Sequence, residues 1–160
     1  MDRLYAGLSY EQTVDKYIGT VYAVCVMRLS GNADVDDCVQ NTFIKLYEKS
    51  PDFTDENHLK AWLLHVAINE CRMSVRRSLR FVPLDHLGEL PLPQSDDHSD
   101  LSWALMRLSA KYREVLYLYY EEGYKVREIA GILDTREGTV MSLLKRGRDK
   151  LKQIYGGEET

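Results

Sequence analysis

Apolar residues recur along this chain at intervals of three and four, the period of an amphipathic α-helix. Ser9 with Gln12 makes a capping-box start, and Val14, Ile18, Val21, Tyr22, Cys25 and Leu29 follow as a stripe. Ser30-Gly31-Asn32 breaks that pattern. A second helix is expected from about Asn32, with Asp34, Asp36 and Asp37 in its first turn, where carboxylates complement the helix dipole. Its stripe is Val35, Val39, Thr42, Phe43 and Leu46, and Pro51 with the polar residues after it ends the helix. A third helix starts near Asn57 and turns Leu59, Trp62, Leu63, Val66 and Met73 inward.

Helical spacing resumes at Leu101, Leu105 and Leu108, then at Tyr112, Val115, Leu116 and Tyr119 up to a stop at Gly123. The stretch EIAGILDTREGTVMSLLKRGRDKL, Glu128 to Leu151, reads as a short helix, a turn of about four residues and a longer helix. That is the helix-turn-helix pattern, in which the second helix lies in the DNA major groove. Val140, Leu144, Gly147 and Leu151 fall on its buried side, and Gly147 would let it pack closely. No stretch alternates with the period of a strand. The expected fold class is all-α.

Between the two helical blocks, residues 81–100 hold Pro83, Pro91 and Pro93, three of the four prolines, so a long helix cannot cross. The same twenty residues carry Asp85, Glu89, Asp96, Asp97 and Asp100 but no lysine or arginine. They read as an acidic, proline-containing linker between small domains at 1–80 and 101–160; a surface loop within one domain is the alternative. Net charge is −4, yet residues 101–160 carry eleven basic against nine acidic groups. The overall acidity therefore does not exclude a nucleic-acid partner. Cys25, Cys38 and Cys71 are odd in number and far apart along the chain, which fits a reducing cytoplasm. No apolar run is long enough to span a bilayer, and the N-terminus lacks a signal-peptide pattern.

Two polar surfaces stand out. On the last helix Arg136, Thr139, Met141, Ser142, Lys145, Arg146 and Arg148 point outward, where hydroxyls and cations can meet bases and phosphates. On the third helix His65, Asn69, Arg72, Arg76 and Arg80 are spaced by four, three, four and four, with Arg77 at the border. Such a face can track a phosphate backbone. The bland alternative for each is a solvated amphipathic face. Asp34, Asp36 and Asp37 do not converge on one side of a helix, and His65 and Cys71 lie too far round for a shared metal. His58, His86 and His98 are scattered and read as solvated, and no metal site or cofactor is expected. Nucleophile elbow, P-loop and paired catalytic carboxylates are absent, so no enzymatic activity is expected.

NADVDDCVQNTFIKLYEK followed by HLKAWLLHVAINECRMSVRRSLR resembles the N-terminal domain of bacterial sigma factors. YREVLYLYYEEGYKVREIAGILDTREGTVMSLLKRGRDKL resembles their C-terminal domain. Size and two-domain layout are similar to the extracytoplasmic function (ECF) class of the sigma-70 family. The resemblance implies a protein that binds core RNA polymerase and directs it to promoter DNA, melting the minus-ten element. Asp36, Asp37, Gln40 and Asn41 then match the surface that docks on the β′ clamp helices, with further contacts to β. The His65–Arg80 face matches the minus-ten reader, residues 51–58 the loop that captures a flipped base, and Arg136 to Arg148 the minus-thirty-five reader. Many members of the class are held by an anti-sigma factor, and the resemblance extends that option to this chain.

Met141 and Leu143 stand where the family usually carries basic residues, Arg136 where a capping Ser is common, and Asn41 where an acid is common. Met141 and Leu143 could face thymine methyls or a partner protein. A freestanding helix-turn-helix regulator, and a sigma-like interaction protein that does not read DNA, are the competing readings.

Overall fold

The computed structural model describes residues 2–29, 34–79 and 100–156, and the chain divides into two compact units, Met1–Leu87 and Gly88–Thr160. Among the described residues all extended elements are helices. The first unit holds α1 (Tyr10–Leu29), α2 (Val35–Lys49) and α3 (Glu56–Leu79). The second holds α4 (Asp100–Met106), α5 (Ala110–Leu116), a π-helical turn (Tyr117–Glu121), α6 (Val126–Leu133) and α7 (Glu137–Gly156). Residues 81–99 of the expected linker lie outside the described residues, and Asp100, expected to close it, opens α4. No helix among the described residues is long and apolar enough to cross a membrane.

The capping box forms as expected: Gln12 N donates to Ser9 Oγ (3.1 Å) and Ser9 N to Gln12 Oε1 (2.9 Å). The buried side of α1 differs from the expected stripe. Thr13, Tyr17, Val21, Val24, Cys25 and Leu29 face inward, while Ile18 and Tyr22 are 45% and 48% exposed. Polar atoms that find partners explain the rotation. Thr13 Oγ1 donates to the Ser9 carbonyl (2.8 Å), and the Tyr17 hydroxyl is hydrogen-bonded to Glu56. Both side chains can therefore bury their carbon without an orphaned hydroxyl.

In α2 the expected stripe is buried throughout, with Cys38 added. The helix begins at Val35, so Asp34 is its cap residue rather than part of its first turn. Its carboxylate does not cap α2 but accepts from Ser74 Oγ of α3 at 2.6 Å. Because α3 packs against both other helices, it buries Leu63, Leu64, Ala67, Ile68 and Cys71 over a wide arc. Met73, expected inside, is 39% exposed and lies beyond that arc. Each fully buried aliphatic side chain contributes roughly 1.5–3 kcal/mol, so this arc is a large part of what holds the unit together.

The three cysteines, distant in sequence, meet in this core. Cys25, Cys38 and Cys71 come from α1, α2 and α3, are all buried, and Cys71 is hydrogen-bonded to both others. Burial, with Cys71 alongside, pushes the Cys38 thiol up to about 12. The hydrogen bond to Cys25, then burial, raises Cys71 as well. The folded state thus holds its thiols protonated. Stability should be full below pH 9, the ordinary thiol value, and decline as pH climbs from there toward 12. A urea midpoint that does not fall over that range would contradict this.

In the second unit the fold turns on two left-handed residues. Gly123 (φ 73°) ends the π-helical turn, and Asp134 (φ 53°) closes α6, with its N–H and that of Thr135 returning to α6 carbonyls. The expected regular helix up to Gly123 instead widens after Leu116. Tyr117 is buried there and its hydroxyl donates to Glu122 Oε1 at 2.8 Å.

Candidate nucleic-acid interface

Helices α6 and α7 are joined by Asp134, Thr135 and Arg136, a turn one residue shorter than expected. Ile129, Ala130, Ile132 and Leu133 on α6 and Val140, Leu144 and Gly147 on α7 are buried, which fixes α7 in rotation. Gly147 permits a close approach: a Cβ there would sit 3.1 Å from Leu116 Cδ1 and 3.5 Å from Tyr112 Cβ, tight but relieved by a small shift of the leucine side chain. Leu151, expected inside, is only half-buried.

All seven outward residues of this motif are exposed, but they do not form one face. Thr139, Ser142, Lys145 and Arg146 lie opposite the buried stripe, with Arg136 just ahead of the helix. Met141, 60% exposed, and Arg148, seven positions on, share a flank, and at Arg148 that flank meets the π-helical turn. There Arg148 Nη1 donates to the Tyr120 hydroxyl (3.3 Å), which favours the charged guanidinium and raises its pKa. Leu143 is half-buried, so only Met141 of the two apolar departures is fully presented. On that same flank Leu105, Leu116, Leu151 and Tyr155 line an apolar groove of about 280 Å³. No linear pattern signals it, because its walls come from α4, α5, the π-helical turn and α7.

On α3, His65, Asn69 and Arg72 are half-buried and Arg76 and Arg77 exposed; Arg80 lies outside the described residues. Asn69 Nδ2 and His65 Nε2 are 3.1 Å apart, so the two side chains hold each other in place. Arg76 and Arg77 also border a groove of about 520 Å³ shared with Ile44, Lys45 and Met73. The loop before α3 is more ordered than its polar composition suggests. Asp55 Oδ1 accepts from His58 N (2.8 Å), and His58 Nδ1 accepts from Thr54 N (3.2 Å). Phe53 packs edge-on against His58 (5.2 Å) and Trp62 (5.7 Å). His58, expected to be merely solvated, lies in the first turn of α3, which begins at Glu56 within the expected 51–58 loop, and ties down the residues ahead of it. Trp62, expected inside, is only half-buried and stands against Phe53. His86 and His98 lie outside the described residues.

On α2, Asp36, Asp37 and Gln40 are exposed on one side. Asn41 is half-buried and donates to Glu70 Oε2 at 3.5 Å, while Lys45 pairs with the other Glu70 oxygen. Glu70 itself is 3% exposed. Asn41 is therefore committed largely to its own fold, and sequence reading missed the buried carboxylate that holds it. Ile44 and Tyr47 extend the exposed side of α2 with apolar surface that the sequence left unremarked.

Residues 13–81 match the sigma-70 region 2 family and residues 100–151 match sigma-70 region 4. The ECF RNA polymerase sigma factor EcfG of Rhodopseudomonas palustris (strain TIE-1) is 31% identical over 135 residues, 79% of this chain and 74% of that one. This chain belongs to the ECF class of sigma-70 family sigma factors. SigM of Bacillus subtilis (strain 168), another ECF sigma factor, is 27% identical over 92% of this chain and 96% of its own. Among solved structures, the sigma factor RpoE in complex with the anti-sigma factor NepR from Bartonella quintana matches with TM-score 0.75 and 27% identity. That match covers 92% of this chain and 96% of RpoE.

The sigma factor therefore directs promoter-specific transcription, binding RNA polymerase and promoter DNA as a regulatory protein. The competing readings lose their footing. A freestanding regulator leaves the region 2 match without a role, and a protein blind to DNA leaves the exposed cations of α7 unexplained. Region 2 takes in α2, α3 and α1 from Thr13 onward, and region 4 the helix-turn-helix of the second unit. Residues 2–12 lie outside both.

Proposed function

We propose that this sigma factor holds promoter DNA at two places while anchored to the polymerase through α2. The observation that carries the reading is the coexistence of exposed cations at the end of α3 (Arg76 and Arg77) and on α7, in separate units of one chain with no overall positive charge. Such a chain binds DNA weakly alone, because phosphate contacts supply most of the electrostatic affinity and here they are few.

Residues 1–80 dock on the clamp helices of β′ through Asp36, Asp37 and Gln40, with Asn41 at the edge. They open the minus-ten element with His65, Asn69, Arg72, Arg76, Arg77 and Arg80. The loop 51–58 captures an extruded base, which costs a few kcal/mol to unstack. Residues 81–100 act as the linker. Residues 101–160 read the minus-thirty-five element with Arg136, Thr139, Ser142, Lys145 and Arg146, flanked by Met141 and Arg148. Further contacts go to β. The factor performs no covalent chemistry, works in the cytoplasm beside the polymerase, and is a candidate for anti-sigma control, as RpoE of Bartonella quintana is seen with NepR.

Run-off transcription with purified core polymerase tests the whole. Asp37→Arg is expected to lower co-purification with core enzyme and the promoter-specific product together, with helix content unchanged because the side chain is exposed. Normal co-purification of that variant would refute the docking assignment.

A further inference from the structure

Residues 2–12 fall ahead of the region 2 match, yet the structure ties them down tightly. Tyr5 and Leu8 exchange backbone hydrogen bonds of 2.7 and 3.0 Å. Between them Ala6 and Gly7 both take positive φ (51° and 87°), the conformation of a tight hairpin turn. Tyr5 is buried and packs edge-on against Tyr10 at 6.0 Å. Tyr10 meets Tyr47 of α2 at 5.5 Å and donates from its hydroxyl to the Phe43 carbonyl at 2.7 Å. The turn is thereby fixed to the side of α2.

From this anchored turn Arg3 reaches across to the end of α2. Its Nη2 donates to the carbonyls of Ser50 and Pro51, each at 2.9 Å. Helix C-termini leave carbonyls unpaired, and a guanidinium supplies the missing donors. The Arg3 guanidinium also lies 4.9 Å from the Tyr5 ring centre, and 3.8 Å from the Asp52 carboxylate. Asp52 is fully exposed, so the ion pair contributes little and the two carbonyl bonds carry the contact.

These carbonyls stand where α2 ends and the 51–58 loop begins. The far end of that loop is held by Asp55, His58 and Thr54, and its aromatic edge by Phe53 against Trp62. We infer that Arg3 is a positioning residue, bracing the near end of the 51–58 loop so that it meets single-stranded promoter DNA already ordered. Ordering a loop at the moment of binding costs conformational entropy, and a loop held beforehand avoids that cost. The inference rests on the base-capture role proposed above for this loop.

The test uses holoenzyme assembled from core polymerase and the full chain. It measures binding to a non-template minus-ten oligonucleotide from a promoter mapped by run-off, intact or with single abasic substitutions. The wild type should lose affinity when one particular base is removed. Arg3→Ala should bind the intact strand roughly five- to ten-fold more weakly, yet match the wild type on the strand lacking that base. Arg3→Lys should recover part of the loss, since its ammonium can still reach a carbonyl. An equal deficit for Arg3→Ala on intact and abasic strands, or none at all, overturns the brace. If the wild type ignores every abasic substitution, the loop reading itself fails, a result visible before any variant is measured.

Discussion

Replacing Lys145 and Arg146 together by glutamate is expected to cut promoter-specific transcription on the order of a hundred-fold at physiological salt. Both side chains are exposed on α7, opposite the stripe formed by Val140, Leu144 and Gly147, so the substitution leaves the packing untouched. If each cation holds one phosphate, losing both lowers the salt slope by about two units, which at 0.15 M salt is about thirty-fold in affinity. Alanine at both positions should show that smaller loss. Glutamate adds repulsion on top of it. The salt dependence gives the sharper test, because the deficit must widen as salt is lowered and the wild type tightens faster than the variant. A variant whose transcription falls in parallel with the wild type at every salt concentration holds the same number of phosphates. In that case α7 does not meet DNA through this pair.

What the sequence conveyed depended on how local each feature was. The capping box at Ser9, the α2 stripe and the paired helices around Asp134 are set by residues within a few positions of one another, and all are readable from spacing. Features made by packing between helices were not. Three cysteines spaced widely along the chain converge because three helices turn the same sides inward. The buried arc of α3 is wider than any single stripe, since two helices flank it, and that is why Leu64 and Ile68 are inside and Met73 is not. Rotation of α1 depended on whether the hydroxyls of Thr13 and Tyr17 could find partners, which hydrophobicity alone does not encode. On the candidate interfaces, residue type and exposure were legible, and partnership was not. Arg148 is drawn to Tyr120 and Asn41 to Glu70, both across helix boundaries. The N-terminal turn escaped notice because Ala6-Gly7 is a weak turn signal, and its importance lies in what Arg3 touches some fifty residues away.

Gly147→Leu is expected to unfold much of the second unit while leaving the first intact. The glycine sits where α7 crosses α5, and even one added carbon would lie 3.1 Å from Leu116, itself buried. A leucine carries three more carbons into that space and must push the two helices apart. Overpacking of this kind costs about 1–3 kcal/mol or more, a large share of what a small helical unit has in reserve. Alanine provides the contrast. Its gain in helix propensity over glycine, about 1 kcal/mol, opposes a single tight contact, so Gly147→Ala should change stability little. The two units make the outcome separable in one experiment. Amide signals from α4 to α7 should lose dispersion in the leucine variant while those of α1 to α3 persist, and urea should unfold the second unit at a lower concentration. Co-purification with core polymerase should survive, because the proposed docking side of α2 is in the other unit, whereas transcription from promoters that need the minus-thirty-five contact should be lost. If the leucine variant keeps native signals and the urea midpoint of the wild type, then α7 and α5 are not in close contact at this position. The orientation of α7 would have to be set by something other than that crossing.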